Sequence, residues 1–446
     1  MAGPDPAPDP DPDPDPDPDP APGPDPAPDP DPAPDPDPDS APAPAAAPAA
    51  GEVTEAEAKR TVRTFAAVSF LHDAGSDMVF PVWPLFMREV LKADMAVLGL
   101  VDGLGDAMVS LSSAAAGYAS DRIRRRKVFI WPGYLMGGAA RVGYALSATW
   151  QQVVPFKVLD RAGKIRSAPK DAIVADISDR SNRGRRFGFL RAMDNLGAVV
   201  GILFAIAFVW AFSATPQTYR TLFMVAAIPS VIGALMVVVM IKERPAAGIR
   251  VFKGLRLSDL GRDYRLFLLL SAVFAVSNFS YSFFLIFASV HHFQDAFVPV
   301  LYLVFTAVAA LVSIPFGRLA DTWGRKRVMT LSLLLWAAVS VVVLADQGFG
   351  AIILAFVLYG AHKGALEPVQ RAFVSELAPS DFRSSGLGAY SMVVGLCALP
   401  ASLIAGVLWE RVGAWAIFAF ALALTLVAVA MLQFVREAEH GPAAAG

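Results

Sequence analysis

The stretch Gly317-Arg318-Leu319-Ala320-Asp321-Thr322-Trp323-Gly324-Arg325-Lys326-Arg327 has a partner 200 residues earlier, Gly117-Tyr118-Ala119-Ser120-Asp121-Arg122-Ile123-Arg124-Arg125-Arg126-Lys127. Each copy lies between two apolar segments long enough to cross a bilayer. Each therefore fills a short basic loop joining two membrane helices at the same place in each half. The chain reads as a duplicated membrane protein.

Composition agrees: 55% of the 446 residues are apolar and 17% charged, a balance suited to lipid. Beyond residue 60, apolar stretches recur at about the 20 residues that a helix needs to cross a hydrocarbon core. Backbone polar groups left unpaired in lipid are costly and the alternating pattern of a membrane barrel is missing, so these stretches are helices. The predicted spans are 62–87, 96–119, 128–149, 150–172, 187–211, 219–241, 265–288, 296–319, 328–345, 349–370, 384–408 and 412–435. The fold class expected is an all-α membrane protein of twelve transmembrane helices in two pseudo-symmetric six-helix bundles, preceded by a disordered Pro/Asp tail. The domains are then a tail over 1–60, bundles over 61–241 and 265–436, a linker over 242–264 and a short tail over 437–446.

Lys and Arg gather in alternate connections, at Arg122 to Lys127, Arg180 to Arg186, Lys242 to Arg265 and Arg325 to Arg327, while Ser213 to Thr218 carries no positive charge. By the positive-inside rule those loops and both termini are cytoplasmic. Residues 4–40 are almost a pure Pro-Asp and Pro-Ala repeat. Proline removes donors and like charges repel, so the tail is expected to be an extended, solvated spacer. The single Cys397 excludes a disulfide framework.

The halves match beyond the loops. Pro169 and Pro368 lie 199 apart, Asp176 and Glu376 lie 200 apart, and Gly188 and Gly197 recur as Gly386 and Gly395. Repeats of this kind build transporters from two bundles around a midplane site. At residues 317–326 the chain closely resembles the signature of the major facilitator superfamily, G-x-L-A-D-R-x-G-R-K. The first copy has Arg124 where glycine is usual. The resemblance covers residues 60–436 and implies that Asp121 with Arg122, Arg125 and Arg126, and Asp321 with Arg325 and Lys326, latch neighbouring helix ends when the protein opens outward; Gly317 and Gly324 belong to the same motif. The blander alternative is that these basic residues only set topology. In the fifth segment, Gly188, Gly197 and Gly201 keep a spacing met in antiporters, with Ile202 in place of proline; close helix packing explains Gly197 and Gly201 equally well. The run Asp160 to Asp171 looks like a fourth-helix pattern from a bacterial drug/metabolite efflux-like branch.

Ionisable side chains at membrane depth cost about 2.5–3.5 kcal/mol each on insertion scales, so each needs a partner, water or a task. Asp73 and Asp77 share a face of the first helix, as do Asp102 and Asp106 on the second. These four are the proton-coupling candidates, because a carboxylate dry in one conformation and wet in another binds its proton differently in the two. The substrate-cavity candidates are Asp160, Arg161, Lys164, Asp194, Asn278, Tyr281, His362, Lys363 and Glu367. The alternative is an internal ion network that holds the first bundle together.

No phosphate loop, metal-ligand set or nucleophile with its base is visible, so an enzyme is not expected, nor a cofactor. His291, His292 and Asp295 form a loop cluster best read as solvated. The expectation is a secondary transporter in a bacterial inner membrane, monomeric, exporting a small polar or amphiphilic molecule against protons, with lipid, substrate and protons as its partners and no nucleic acid. Uptake of an organic anion and a non-transporting membrane sensor are the alternatives.

Overall fold

The computed structural model describes Gly3 and residues 54–123, 125–178, 182–242, 261–291, 293–377 and 383–436. The Pro/Asp tail, most of the expected linker and the last ten residues lie outside that set. Val53–Gly446 forms one compact unit.

Every regular element among the described residues is helical. Helix α1 (Glu55–Val79) begins at an N-cap in which Thr54 accepts from the Glu57 amide. It continues through Trp83–Leu85 and a π-helical turn, Phe86–Val90. Then come α2 (Met95–Ile123), α3 (Lys127–Leu146) and α4, whose parts Trp150–Ala162 and Ser167–Asp176 are joined by the 3-10 turn Gly163–Arg166. Next are α5 (Arg183–Phe212), α6 (Pro216–Met240) and α7, in the two parts Arg262–Ser277 and Tyr281–His291. The remainder is α8 (Val298–Trp323), α9 (Arg325–Ala345), α10 (Phe349–Leu377), α11 (Arg383–Arg411) and α12 (Ala414–Gln433).

Among the described residues, nine of these helices are long and apolar enough to cross a membrane. The other three, α1, α3 and α4, are less apolar along their length, with Asp73 and Asp77 on α1, Arg141 on α3 and several Lys, Arg and Asp residues on α4. Twelve helices were expected, and the described residues form twelve. The first, fourth and seventh are each interrupted within the predicted span. Pro81 and Pro84 remove backbone donors just where α1 breaks. In α4, the 3-10 turn brings Gly163 so close to Gly133 of α3 that a Cβ on either would meet the other's carbonyl oxygen, at 2.7 Å from Gly163 and 2.6 Å from Gly133. In α7 the chain leaves helical geometry at Asn278, which frees Ser280 and Ser282 to face across the molecule.

Within the first half, α1 packs on α5 and α6, and α3 on α4 and α6. Within the second, α10 packs on α8 and α9, and α12 on α7 and α9. Two seams join the halves, α2 with α11 and α5 with α8. The first is built by small residues: Gly103 lies against Leu399, and Gly406 against Met95 and Ala96, so near that any side chain would strike backbone. The Met95 amide also donates to Glu410 Oε1 (2.7 Å), and Ser110 Oγ to the Ser391 carbonyl (3.1 Å). At the second seam, Trp210 Nε1 donates to the Ala296 carbonyl (2.9 Å) and the indole meets the Phe297 ring.

Candidate functional site

Between the halves lies a cavity of about 1070 Å³. The first half contributes Asp106 from α2, Arg161 from α4, and Asp194 with Asn195 from α5; the second contributes Asn278 and Tyr281 from α7, and Lys363 and Glu367 from α10. At one end the cavity reaches Lys170, Asp171 and Gly188, beside the basic connections. Asp171 and Gly188 are exposed there, so that end is open.

The opposite end is closed around Asp102. Its Oδ1 accepts from Trp83 Nε1 (2.8 Å) and Lys157 Nζ (2.9 Å), and its Oδ2 from Ser280 Oγ (2.8 Å) and Ser282 Oγ (2.5 Å). Lys157 also stands 3.8 Å from the centre of the Trp83 ring. Trp83, Asp102 and Lys157 belong to the first half and the two serines to the second, so the two serine bonds cross between halves. Tyr281 adds another crossing bond, its hydroxyl donating to the Phe80 carbonyl (3.2 Å). Asp102 and Lys157 are each only 4% exposed. A charge pair that dry persists only when its remaining hydrogen-bonding capacity is filled, which the indole and serines achieve.

Of the expected cavity residues, Arg161, Asp194, Asn278, Tyr281, Lys363 and Glu367 line the space, as do Asp102 and Asp106. Arg161 stands 4.0 Å from Asp160 Oδ2 and lies over the Phe80 ring. Its Nε, like Asp194 Oδ1, is buried without a hydrogen-bond partner among the described residues. Glu367 lies 3.9 Å from Arg191 across the open end, both side chains exposed. Asp160 and Lys164 are half-buried on α4 away from the lining. His362 is fully buried instead: its Nδ1 meets the Ser332 carbonyl (2.8 Å) and its ring packs against Trp336 and Phe274.

Asp73 and Asp77 stand on α1 within the first half, half-buried, and make no hydrogen bond or ion pair among the described residues. Around them run polar contacts from other helices. Lys170 Nζ donates to Ser69 Oγ (2.9 Å), Arg141 donates to Ser76 Oγ (2.6 Å), the Ala226 carbonyl (2.9 Å) and Ser230 Oγ, and Ser230 bridges to His72 Nδ1 (2.9 Å). A Cβ at Gly137 would lie 3.6 Å from Asp160 Oδ1 and 3.7 Å from Arg141 Nη2, so this acid and base share one locality.

The motif loops hold helix ends. Arg325 Nη1 donates to Glu376 Oε2 (2.5 Å) and to the Ala372 carbonyl (3.2 Å), clasping the end of α10. Lys326 Nζ donates to the carbonyls of Gln433, the last residue of α12, and Val435 just beyond it. In the first half Arg126 binds Asp176 at the end of α4. Asp321 is exposed and has no partner among the described residues, while Gly317 has open space around it and Gly324 takes a positive φ of 96° at the loop. The side chains of Asp121 and Arg122 lie outside the described set; Arg125 is exposed. Nearby, Arg186 donates to Glu55 Oε2 (2.6 Å), which holds the Glu55 carboxyl below the usual carboxylate range. His291 Nδ1 meets the Phe287 carbonyl (2.8 Å), and His292 lies outside the described set.

Sequence reasoning missed the second half's hydroxyl wall, Tyr302, Thr306 and Tyr359. Two of the three are aromatics, which in an apolar helix look like core. Nor does spacing single out Lys157, which pairs with Asp102.

The model of the Major Facilitator Superfamily matches residues 65–304 and 266–445. The chain belongs to this superfamily. An uncharacterized MFS-type transporter of Methanocaldococcus jannaschii is 33% identical over 391 residues, 85% of this chain and 96% of the relative. A maltose permease of Geobacillus stearothermophilus is 25% identical over 401 residues, 86% of this chain and 96% of that one. Among solved structures, a point mutant of the nucleoside transporter NupG superposes with a TM-score of 0.72 at 15% identity, covering 83% of this chain and 99% of the other. That likeness speaks for the fold. The protein is a multi-pass membrane transporter of the facilitator type.

Proposed function

We propose that this transporter moves a small polar or amphiphilic organic molecule by proton-coupled alternating access, in the direction of export, across a bacterial cytoplasmic membrane. The observation that carries the reading is the cavity between the halves, open beside the basic loops and closed at the far end by the bonds from Ser280 and Ser282 to Asp102. By the positive-inside rule the open end is cytoplasmic, with both termini on that side. Arg161 and Lys363 line the cavity from opposite halves, as do Asp106, Asp194 and Glu367, so a substrate meets both signs of charge and the hydroxyls of Tyr281, Tyr302 and Tyr359.

Protons are assigned to Asp73, Asp77 and Asp106, which have no bound donor among the described residues; Asp102 is assigned instead to holding the far end shut. Export is supported by the antiporter-like glycines of α5. Gly197 lies against the backbone of Phe70 and Gly201 against that of Ala74, on the same helix as Asp73 and Asp77. A second reading, uptake of an organic anion, is favoured by the pairing of Arg161 with Lys363.

The test is proton flux in everted vesicles, followed with a pH dye as organic cations, anions and neutral amphiphiles are added. A compound that collapses the gradient only when the protein is present supports export, and loss of that response in Asp73→Asn or Asp77→Asn supports the proton assignment. Wild-type coupling in both variants refutes it. A gradient response seen only in right-side-out vesicles with anions supports uptake.

A further inference from the structure

On the first half, at the end that carries the basic connections, a groove of about 460 Å³ runs between α1 and α6. Lys59, Arg60 and Arg63 form its rim, and Ala67, Met236 and Met240 its floor. Positions 60, 63 and 67 fall on one face of α1, and 236 and 240 on one face of α6. The rim is cationic and the floor is apolar.

The neighbouring acids are already engaged. Glu55 is taken by Arg186, with Lys59 at 3.6 Å, and Glu57 lies 4.0 Å from Lys242. Arg60 and Arg63 are exposed and make no ion pair among the described residues. Below them α6 turns Ile232, Leu235 and Val239 outward, Val239 being 81% exposed. A helix that crosses a bilayer with such a surface has it covered by acyl chains.

We propose that this groove binds an anionic phospholipid, its phosphate held by Arg60 and Arg63 and one acyl chain lying along Met236 and Met240. Two planar guanidinium groups one turn apart match the geometry of phosphate oxygens. The apolar floor gives the site its preference for a lipid over free phosphate, because only a lipid covers the methionines. Basic pockets between membrane helices on the cytoplasmic side are suited to such headgroups.

The full chain, reconstituted in nanodiscs of phosphatidylcholine with rising phosphatidylglycerol, tests this by native mass spectrometry of retained lipid. Wild type should keep phosphatidylglycerol in preference to phosphatidylcholine. R60Q/R63Q should weaken that preference by roughly fivefold per cation, about 25-fold for both. R262Q/R265Q, which removes exposed cations at the start of α7, should leave it intact. Equal loss in the control pair, or an equal rise of the unfolding midpoint with inorganic phosphate alone, overturns the proposal. Should R60Q/R63Q not fold, wild type with a phosphatidylglycerol carrying a photoreactive acyl chain decides the matter: cross-links on α6 within residues 232–240 support it, and cross-links confined to other helices overturn it.

Discussion

The first half buries an ionic interior. His72, Arg141, Lys157 and Arg166 are less than a tenth exposed, and Asp73, Asp77, Asp106 and Asp160 stand among them. The second half buries rings at the equivalent depth: Phe279, Phe284, Trp336, Tyr359 and Phe418 touch one another in offset and edge-on pairs. Yet the two share details of their common plan. Arg126 holds Asp176 as Arg325 holds Glu376. The clamps recur in both halves, while the interiors differ, one ionic and the other aromatic.

The strongest way to break this contrast is at the ion pair of the first half. Lys157→Met leaves the Asp102 charge buried without its cation, and the expected loss is about 3–5 kcal/mol, read as a fall in the unfolding midpoint in detergent. Adding Asp102→Asn should return much of that loss; a double variant as unstable as the single one would show that charge pairing is not the cause. Next is Gly103→Val at the α2 and α11 seam, where the new side chain meets Leu399 backbone. Overpacking of that kind costs about 1–3 kcal/mol, and cross-linking between α2 and α11 should fall with it.

The clamps sharpen the comparison. Glu376 is 15% exposed and Asp176 51%. Arg325→Gln should therefore cost roughly 1–2 kcal/mol and Arg126→Gln distinctly less, since an exposed partner recovers its hydration; equal midpoint shifts would contradict this. The smallest effect is that of Glu55. Its carboxyl is held low by Arg186, so the bridge is fully present above the ordinary carboxylate pKa and is lost as pH falls through the depressed one. Wild type and Glu55→Gln should differ in midpoint near neutral pH and converge in acid.

The duplication was legible because it shows in composition and spacing, and so were the helix number and the place of Asp102 and Asp106 at the cavity. The breaks at Asn278 and at the 3-10 turn of α4 were not, because each goes with what another helix offers: Asp102 of the other half in one case, Gly133 of the adjacent α3 in the other. The same reason hid the difference among the four aspartates. Spacing alone makes Asp102 and Asp106 a pair, but donors from Trp83, Lys157 and the two serines of α7 fill the Asp102 carboxylate and distinguish it from Asp106. Likewise His362 carries the signature of a cavity group and is instead held by α9.

A carboxylate has about four lone-pair positions, and Asp102 has all four occupied, two on each oxygen. It has no vacancy for an incoming water while the serines remain. Parting the halves at this point is therefore a substitution at a saturated centre, in which a solvent molecule takes each place that a serine vacates. The speed of that step is governed by how readily water reaches the dry end of the molecule, and osmolytes that lower water activity should slow it.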